Sequence, residues 1–337
     1  MKVTYDKLKN TIKNALKASG VSEEKSELMA KVHAESTLKG VNSHGLNRIP
    51  RLIDFINKGL VDINAEMELV KSFGSVENYE GNLGFGVINA LKASDREAEL
   101  AKEHGIGMVT LRNTTHWMRG GAYSENIADK GMIGMCWTNT ESLMPVWGSD
   151  EISLGNNPIG ISIPSESGNI CLDMAISLYS YGKLETTRLK GEKLPYPGGF
   201  DKGGNLTDDP KLIEESQNLL PVGYWKGSGL GICLDTMAAL LSNGLSTYDM
   251  DDRDGFNCTS CSQIFIAMNP EAFSTKEENE KTIRKIKERV KSAHPTNPGL
   301  SPRYPGLGLY TRKEKGLREG IEIDDKIFKK VESLGEM

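Results

Sequence analysis

The chain has 337 residues, which exceeds the size at which one hydrophobic core usually keeps growing, so its length predicts two or three structural lobes. Hydrophobic residues make up 38% of the chain and charged residues 26%, and this ordinary balance excludes a disordered or fibrous protein. The net charge of −5 arises from interleaved acidic and basic residues without a basic stripe. Nucleic acid is therefore not an expected partner.

Neither a membrane segment nor a disulfide framework is expected. No long apolar run occurs, and the charged first residues lack the apolar core of a secretion signal, so we expect a soluble, cytoplasmic protein without a membrane partner. The five cysteines are an odd number in a long chain, which indicates reduced thiols. The one close pair, Cys258 and Cys261, lacks a second Cys/His pair at zinc-ligand spacing, so we expect incidental thiols and no metal site.

The first part of the chain has the periodicity of helices. Residues 5–18 and 24–39 alternate apolar and charged side chains at helical spacing, and Gly40 lies where a C-terminal cap is expected. Beyond a polar break at 41–45, apolar residues recur with the spacing of a further helix, at Ile49, Leu52, Ile53 and Ile56. We therefore expect a helical N-terminal lobe.

Later segments alternate between strand-like and helix-like patterns. A helix is expected over 87–104, and the apolar runs 106–111 and 133–138 flank a short helix near 121–129, which predicts a β-α-β unit. The remaining regular segments are strands expected at 159–163, 170–174 and 263–268 and helices expected at 177–189, 228–242 and 276–292.

Two further segments have distinctive sequences. Residues 275–278 form a capping box at the start of the last of these helices, whose apolar face is expected to bury Ile283, Ile286 and Val290. The Gly-, Pro- and Asp-rich stretch 194–210 predicts a long loop, and long ordered loops are often functional.

The segment around His44 offers two groups suited to chemistry on an anionic carbonyl compound. If the helix is continuous there, His44 and Arg48 lie four residues apart on one face at its N-terminal end. Histidine can give or take a proton near neutral pH, and the planar guanidinium of arginine can bind both oxygens of a carboxylate. The same spacing also fits a helix-entry histidine bonded to its own backbone and a solvated arginine, so both interpretations stay open.

A second polar cluster lies in the turn Asn113–Gly121, at the carboxyl end of an expected strand, where α/β sheets place their ligands. His116, other polar side chains and two glycines fall in this turn. An ordinary strand-to-helix connection with Trp117 in the core fits the same residues.

No standard nucleotide-binding motif is present. Gly81, Gly84 and Gly86 open a helix, but their spacing is not G-x-G-x-x-G and no convincing strand precedes them, so the Rossmann fingerprint is absent. The segment Tyr224–Gly229 combines a cation, aromatics and small residues at a helix start, which suits a pyrophosphate or a ribose, although a plain glycine-rich helix entry fits it as well. Motifs alone therefore indicate a ligand-binding α/β protein.

Six strings that occur in family order give the chain its resemblance to a known family. They are Ser43-His44-Gly45 with Arg48, the turn Asn113–His116, Leu172-Asp173-Met174, Thr207-x-Asp209-Pro210, Trp225-Lys226-Gly227 and Gln263-x-Phe265-Ile266-Ala267. On these residues the chain resembles the malate/L-lactate dehydrogenase family that is distinct from the Rossmann-fold lactate dehydrogenases. The resemblance covers nearly the whole chain.

The resemblance implies an α/β fold of several lobes, with a helical N-terminal part and a mixed-sheet, non-Rossmann dinucleotide-binding domain. The first part, residues 1–75, would carry His44 and be completed by the C-terminal segment 296–337. Residues 76–140 would form a β-α-β part with His116, and residues 141–295 a dinucleotide-binding and dimerisation part. A homodimer is expected.

The resemblance also implies site roles. By position, His44 matches the family's proton donor, and Arg48 and His116 match residues that contact the substrate. The residues that match dinucleotide-binding segments are Asn169, Ile170, Cys171, Leu172, Asp173, Met174, Ala175, Trp225, Lys226, Gly306, Leu307 and Gly308. A related reductase has a His and a Glu after the Pro-Gly, where this chain has Leu307 and Gly308, whose side chains offer no polar contact.

The implied activity is hydride transfer from NADH, with NADPH as an alternative donor, to the ketone of a 2-oxo acid. Strings such as Cys136-Trp137-Thr138-Asn139 resemble the branch of the family that reduces 2,3-diketo-L-gulonate to 3-dehydro-L-gulonate. Malate, lactate, sulfolactate, ureidoglycolate or a cyclic imino acid are alternative substrates. A metal-dependent hydrolase built on His44, His116 and Asp173, and a catalytically silent binding protein, are alternatives of another class.

Overall fold

Helices and strands alternate along the protein in a computed structural model that describes residues 1–254 and 259–336. The α-helices of this part of the chain are α1 (Tyr5–Ala18), α2 (Glu23–Leu38), α3 (Ile49–Asn57), α4 (Gly86–His104), α5 (Gly120–Ala128), α6 (Tyr181–Leu189), α7 (Pro210–Ser216), α8 (Trp225–Ser242), α9 (Thr247–Asp254), α10 (Lys276–Lys291), α11 (Leu307–Glu319) and α12 (Asp325–Leu334).

Most strands of the same part of the chain are short. They are β1 (Lys2–Val3), β2 (Glu68–Phe73), β3 (Val76–Glu80), β4 (Ile106–Thr114), β5 (Ile133–Thr138), β6 (Ser142–Pro145), β7 (Ile152–Gly155), β8 (Ile159–Ile163), β9 (Ile170–Met174), β10 (Gly199–Phe200), β11 (Leu206–Thr207), β12 (Cys261–Met268) and β13 (Ile321–Glu322).

The first two helices begin where the sequence provides a side-chain cap. The Thr4 hydroxyl accepts a hydrogen bond from the Lys7 amide at 3.2 Å, and the Ser22 hydroxyl accepts one from the Lys25 amide at 3.3 Å. Each cap satisfies an amide that has no partner inside the helix. The helices predicted at 5–18 and 24–39 are confirmed, the second beginning one residue early.

The two ends of the chain meet in the helical part. β1 pairs antiparallel with β13, and α12 packs on α1. Leu8 and Ile12 of α1 share one buried core with Phe328 and Val331 of α12. The C-terminal segment therefore supplies apolar surface that the N-terminal helices need for burial.

Seven strands form the central sheet, in the order β2-β3-β4-β12-β5-β8-β9. β3 and β4 run parallel, and every other neighbouring pair of these seven strands is antiparallel. The sheet is thus mixed, which confirms the predicted fold class. β12 lies between β4 and β5, so the two strands of the predicted β-α-β unit are not neighbours.

Helices cover both faces of this sheet. α4 and α5 contact each other and pack on one face, and α8 packs on the other. Successive residues of β12 follow this division, because Ile264 lies in the core that includes α8 and Phe265 in the core that includes α4. The sheet takes strands from all three predicted parts of the chain, and the division at 75 and 140 stays a prediction.

Two predicted helix starts are wrong by a few residues. The helix expected from residue 177 begins at Tyr181, because the Ser180 hydroxyl accepts a hydrogen bond from the Lys183 amide at 3.2 Å and so caps the helix there. The helix expected from residue 228 begins earlier, at Trp225.

The prediction for the face of α10 is partly wrong. Its capping box at 275–278 is confirmed, and Ile283 is buried, but Ile286 is 50% exposed. Lys287 is buried in its place, because its ammonium group donates to the Ser165 hydroxyl at 2.8 Å and lies 5.2 Å from the Tyr304 ring centroid.

Three further predictions concern the stretch 194–210, the cysteine pair and membrane segments. The stretch 194–210 is mostly loop, but β10 and β11 form a small hairpin within it. Cys258 lies outside the described residues, so the prediction for its pair with Cys261 is not tested. Among the described helices, none has the length and apolar composition needed to cross a membrane.

Candidate active site

His44 lies in a short irregular turn. Asn42–His44 and Leu46–Arg48 form two 3-10 turns, and α3 begins only at Ile49. The assumption of a continuous helix through His44 and Arg48 is therefore wrong. The interruption is Gly45, whose φ of −108° and ψ of −130° lie outside helical geometry.

The C-terminal half of α2 holds this turn in place. The Leu46 amide donates a hydrogen bond to the Thr37 hydroxyl at 2.8 Å, and that hydroxyl donates to the His33 carbonyl at 3.1 Å. A Cβ atom on Gly45 would lie 2.1 Å from Thr37 Oγ1. Glycine is therefore required at position 45, because the turn approaches α2 too closely for a side chain.

His116 faces His44 from the loop that follows β4. The two imidazole rings stack with their centroids 5.9 Å apart and their planes 14° from parallel. The Nδ1 atom of His116 accepts a hydrogen bond from the Met118 amide at 2.8 Å, and Nδ1 of His44 lies 3.1 Å from the Ser43 hydroxyl. The fold thus brings together two histidines that are far apart in sequence.

Burial and nearby cations lower the pKa of both histidines, which favours their uncharged forms. Burial lowers the pKa of His44 to about 4, and the charges of Arg48 and Arg119 act in the same direction. Burial, followed by the charge of Arg48, lowers the pKa of His116 well below its ordinary value. The site therefore presents neutral imidazoles beside fixed positive charge, which favours an anionic ligand.

His33 is a third histidine of this region that the sequence did not single out. It is fully buried on α2, where its ring lies against the backbone of His44 and Gly45. Burial lowers its pKa to about 4. The usable signal was its helical spacing from Thr37, which places both residues on the face of α2 that meets the His44 turn.

Arg119 is a buried cation that sequence reasoning also missed. Its Nε donates to the Asp173 carboxylate at 2.7 Å, and its Nη1 donates to the Glu125 carboxylate at 2.9 Å. Glu125 also accepts from Lys39 at 3.1 Å. This chain of ion pairs links the end of α2, the start of α5 and β9, so the His44 side of the site is connected to the strand expected to bind the dinucleotide.

Two of the three segments expected to bind the dinucleotide pack against each other. The Cys171 amide donates to the Pro305 carbonyl at 3.1 Å, and Gly306 has a φ of 95°. A Cβ atom on Gly306 would lie 2.9 Å from the Cys171 amide nitrogen. Cys171 is buried, and burial raises the pKa of its thiol to about 12, so this cysteine is an inert part of β9.

The loop after β9 returns to the His44 turn. The Val222 amide, which lies just before α8, donates to the carbonyl of Ile176 in this loop at 2.7 Å. A Cβ atom on Gly182, in the first turn of α6, would lie 3.6 Å from the Ser43 Cβ. The segment that follows β9 therefore forms a wall beside the residues next to His44.

The third segment, Trp225 and Lys226, lies on the exposed first turn of α8. The Lys226 ammonium group is 5.8 Å from the Trp225 ring centroid. α8 packs mainly on β12, β4, β5 and β7. A backbone hydrogen bond connects the residues next to this segment with those next to β9, because Val222 just before α8 donates to Ile176 just after β9.

The glycine run before α4 has a packing role. β3 leads directly into Gly81, so the expectation that no strand precedes the run is wrong. A Cβ atom on Gly86 would lie 1.9 Å from the Thr115 carbonyl oxygen, and one on Gly81 would lie 2.8 Å from the Thr114 Cβ. These glycines are required because the end of β4 approaches the run closely.

The residues of the hydrolase alternative are not arranged as metal ligands. Among residues 1–254 and 259–336, no group of three or more His, Cys, Asp or Glu side chains could hold a metal ion. One oxygen of Asp173 is bound by Arg119, and Nδ1 of His116 is bound by a backbone amide.

Comparison with known proteins identifies the family of the chain. The family model for malate/L-lactate dehydrogenase matches residues 3–332. The 2,3-diketo-L-gulonate reductase of Citrobacter koseri is 41% identical over 334 residues, which cover 99% of this chain and 100% of that protein. The 2,3-diketo-L-gulonate reductase of Escherichia coli O127:H6 has the same identity and coverage.

Solved structures agree with this match. Malate dehydrogenase from Entamoeba histolytica has a TM-score of 0.93 at 27% identity, over 100% of this chain and 97% of that one. Sulfolactate dehydrogenase from Methanocaldococcus jannaschii has a TM-score of 0.88 at 30% identity, also over 100% of this chain and 97% of that one. The chain belongs to the malate/L-lactate dehydrogenase family, as its sequence strings predict. It is an oxidoreductase that acts on CH–OH groups.

Proposed function

We propose that the protein reduces the ketone of a 2-oxo acid to the hydroxy acid with NADH as the hydride donor. The observation that carries this proposal is the stacking of His44 on His116 at 5.9 Å, within reach of the charge of Arg48. The names of the relatives at 41% identity support 2,3-diketo-L-gulonate as the substrate and 3-dehydro-L-gulonate as the product.

His44 supplies the proton in this proposal. Its imidazole is uncharged in the free protein because burial, Arg48 and Arg119 lower its pKa to about 4. A substrate carboxylate beside Arg48 offsets one of these charges and raises the pKa of His44, so His44 takes up a proton from solvent when the substrate binds. The protonated ring then donates to the oxygen on which negative charge develops.

Arg48 and His116 hold the substrate. The guanidinium of Arg48 pairs with the carboxylate, whose two oxygens match its planar fork. His116 donates a hydrogen bond to the carbonyl or to an adjacent hydroxyl. This arrangement holds the ketone beside the stacked rings of His44 and His116 on one side and the guanidinium of Arg48 on the other.

The residues around β9 fit a dinucleotide. α11 begins with Leu307 and Gly308 and has no side-chain cap, so the positive end of its helix dipole suits a pyrophosphate. In the proposal, backbone contacts replace the polar side chains that positions 307 and 308 lack. When bound, the nicotinamide supplies the hydride. Asn169 to Ala175 and the Trp225–Lys226 pair complete the proposed binding segments, with NADPH as the alternative donor.

A homodimer is part of the proposal. α8 carries many apolar side chains that are exposed in the single chain, namely Trp225, Leu230, Ile232, Met237, Leu240 and Leu241. Exposed apolar surface of this extent on one helix is typical of a protein interface. A second copy that covers α8 would remove it from water.

Domain organisation and compartment are proposed as well. The core shared by Leu8 and Phe328 supports a helical part made of 1–75 and 296–337, and β9 with α8 supports a dinucleotide-binding and dimerisation part over 141–295. The free thiols of Cys136 and Cys171 fit the reducing environment of a cytoplasm.

A substrate panel tests the proposed function. Purified protein is assayed for oxidation of NADH and, separately, of NADPH with 2,3-diketo-L-gulonate and with the 2-oxo acids that correspond to malate, lactate and sulfolactate. We expect the highest kcat/KM with NADH and 2,3-diketo-L-gulonate. Turnover of a simple monocarboxylate alone would contradict 2,3-diketo-L-gulonate as the substrate. No turnover with any 2-oxo acid would contradict the proposed reaction.

A further inference from the structure

The turn that carries His116 is anchored in two different hydrophobic cores. Trp117 is fully buried in the core between α4, α5 and the sheet, where it packs against Tyr123 and Phe265. The next residue, Met118, is buried in the core of the N-terminal helices. Consecutive side chains that enter separate cores leave the backbone between them little freedom.

This anchoring gives Met118 an uncommon backbone conformation. Its φ is 70°, in the left-handed region that residues other than glycine rarely adopt. The Tyr123 hydroxyl donates to the Trp117 carbonyl and fixes the preceding peptide from the other side. Such conformations persist where the surroundings determine them, and they are concentrated at functional sites.

The consequence is a hydrogen bond that determines the tautomer of His116. The Met118 amide lies 2.8 Å from Nδ1 of His116 with donor geometry. A backbone N–H can only donate, so Nδ1 must be unprotonated and the ring proton must be on Nε2. A proton on both nitrogens would place two N–H groups against each other.

We propose that the Met118 amide holds His116 as the neutral Nε2–H tautomer, so that His116 donates a hydrogen bond to the substrate carbonyl and does not transfer a proton. This inference rests on the proposed reduction of a 2-oxo acid and assigns separate roles to the two stacked histidines. Met118 acts as a positioning residue through its backbone.

The surroundings of His44 are different and fit the other role. Its Nδ1 lies 3.1 Å from the Ser43 hydroxyl, which can donate to the neutral ring or accept from the protonated one. His44 can therefore gain a proton without losing its partner, whereas His116 cannot. The charged and titratable groups that act on His116 are Arg48, His44, Arg51 and His33, and all of them oppose its protonation.

Nuclear magnetic resonance of protein labelled with ¹⁵N-histidine tests the tautomer directly. We expect the His116 signals to show a proton on Nε2 and none on Nδ1, without change from about pH 5 to about pH 8, the range in which an unperturbed histidine titrates. The signals are assigned by their loss in His116→Gln. A proton on Nδ1, or protonation of the ring in this range, would overturn the proposal.

A matched pair of variants tests the donor role. The side-chain amide of His116→Gln can place an N–H near the position of Nε2, whereas the shorter amide of His116→Asn reaches only the position of Nδ1. We expect kcat to fall about 100-fold or more in His116→Asn and less than about tenfold in His116→Gln, because a lost donor to a developing oxyanion costs on the order of 10² to 10³ in kcat. Equal losses, or a better Asn variant, would contradict the donor role.

The two arms separate this inference from the proposed function. If the substrate panel shows no reductase activity, the resonance experiment still decides whether Met118 sets the tautomer. If the panel succeeds and His116 carries its proton on Nδ1, the reaction stands and the assignment of roles falls.

Discussion

At the scale of single residues, the surroundings of the candidate site determine the charge states of its two stacked histidines. The pKa values of His44 and His116 are both lowered, and burial is the main cause for each. Arg48 and Arg119 add positive charge near His44. In the proposed reaction, an anionic substrate that binds beside these charges would raise the pKa of His44 and favour its protonated form.

Replacement of His44 by asparagine tests its role as proton donor. We expect His44→Asn to lose about 10²- to 10⁴-fold in kcat, the usual contribution of a well-placed general acid, with NADH affinity unchanged because His44 is not among the dinucleotide segments. Steady-state kinetics and NADH-dependent thermal shifts measure the two quantities. His104→Asn, at the exposed end of α4, is the control, and normal turnover of His44→Asn would contradict the assignment.

Glu97 on α4 predicts a pH dependence of stability. It is fully buried, neither carboxyl oxygen has a hydrogen-bond partner among the described residues, and burial raises its pKa well above the ordinary value. The folded protein keeps the proton that the unfolded chain loses above about pH 4.3, so the free energy of unfolding decreases as pH rises from there toward the folded pKa.

Replacement of Glu97 by glutamine should remove this dependence. The free energy of unfolding of the wild type should fall by up to about 1.4 kcal/mol per pH unit relative to Glu97→Gln, which has no proton to lose. Urea unfolding between about pH 5 and about pH 8 measures the difference. Glu99→Gln, on the same helix but exposed, should keep the wild-type slope, and parallel slopes for all three proteins would refute the prediction.

At the scale of elements, α2 supports the turn that carries His44, the proposed proton donor. Its residues Thr37 and His33 contact the turn, and Gly45 allows the close approach. No side chain of α2 needs to touch the substrate for the helix to matter, because a displacement of His44 by about 1 Å can cost about 100-fold in rate.

Removal of the Thr37 hydroxyl tests this support. Thr37→Val leaves the Leu46 amide without its partner, so we expect kcat to fall by about ten- to 100-fold while NADH affinity is kept. Thr37→Ser retains the hydroxyl and should restore most of kcat. Kinetics of both variants, with circular dichroism as a check of folding, provide the measurement. If Val and Ser variants lose the same activity, the hydrogen bond does not position His44.

At the scale of the whole molecule, ion pairs connect the helical part to the sheet. Lys39 at the end of α2 binds Glu125 of α5, and Arg119 joins Glu125 to Asp173 of β9. The Arg119 side chain is almost completely buried, so removal of a partner would leave an uncompensated buried charge. A connected network of ion pairs therefore holds the helical part in position against β9, the proposed cofactor strand.

The exposed face of α8 predicts the oligomeric state. Leu240 is 75% exposed in the single chain, and a charge placed there would be buried if α8 forms the interface. We expect the wild type to elute from size exclusion with light scattering at twice the mass of one chain and Leu240→Glu at the mass of one chain. Phe273→Glu, on an exposed residue outside α8, should remain dimeric. A dimeric Leu240→Glu would exclude α8 as the interface.

Sequence patterns predicted most regular elements because the information is local. Apolar periodicity and capping side chains such as Thr4 and Ser22 determine where a helix begins and which face it buries. β2 escaped prediction because all six of its residues are exposed, and α11 because it begins without a side-chain cap. Very short strands such as β1 and β13 have no periodicity to detect.

Family strings in the sequence were enough to identify the family and to single out His44, Arg48 and His116 as candidate site residues, because a motif is a property of neighbours along the chain. Only the tertiary structure revealed the stack of His44 on His116, the contact of Arg119 with Asp173 and the break in the helix at Gly45. These depend on packing between segments that are distant in sequence, and side-chain periodicity contains no information about such distances.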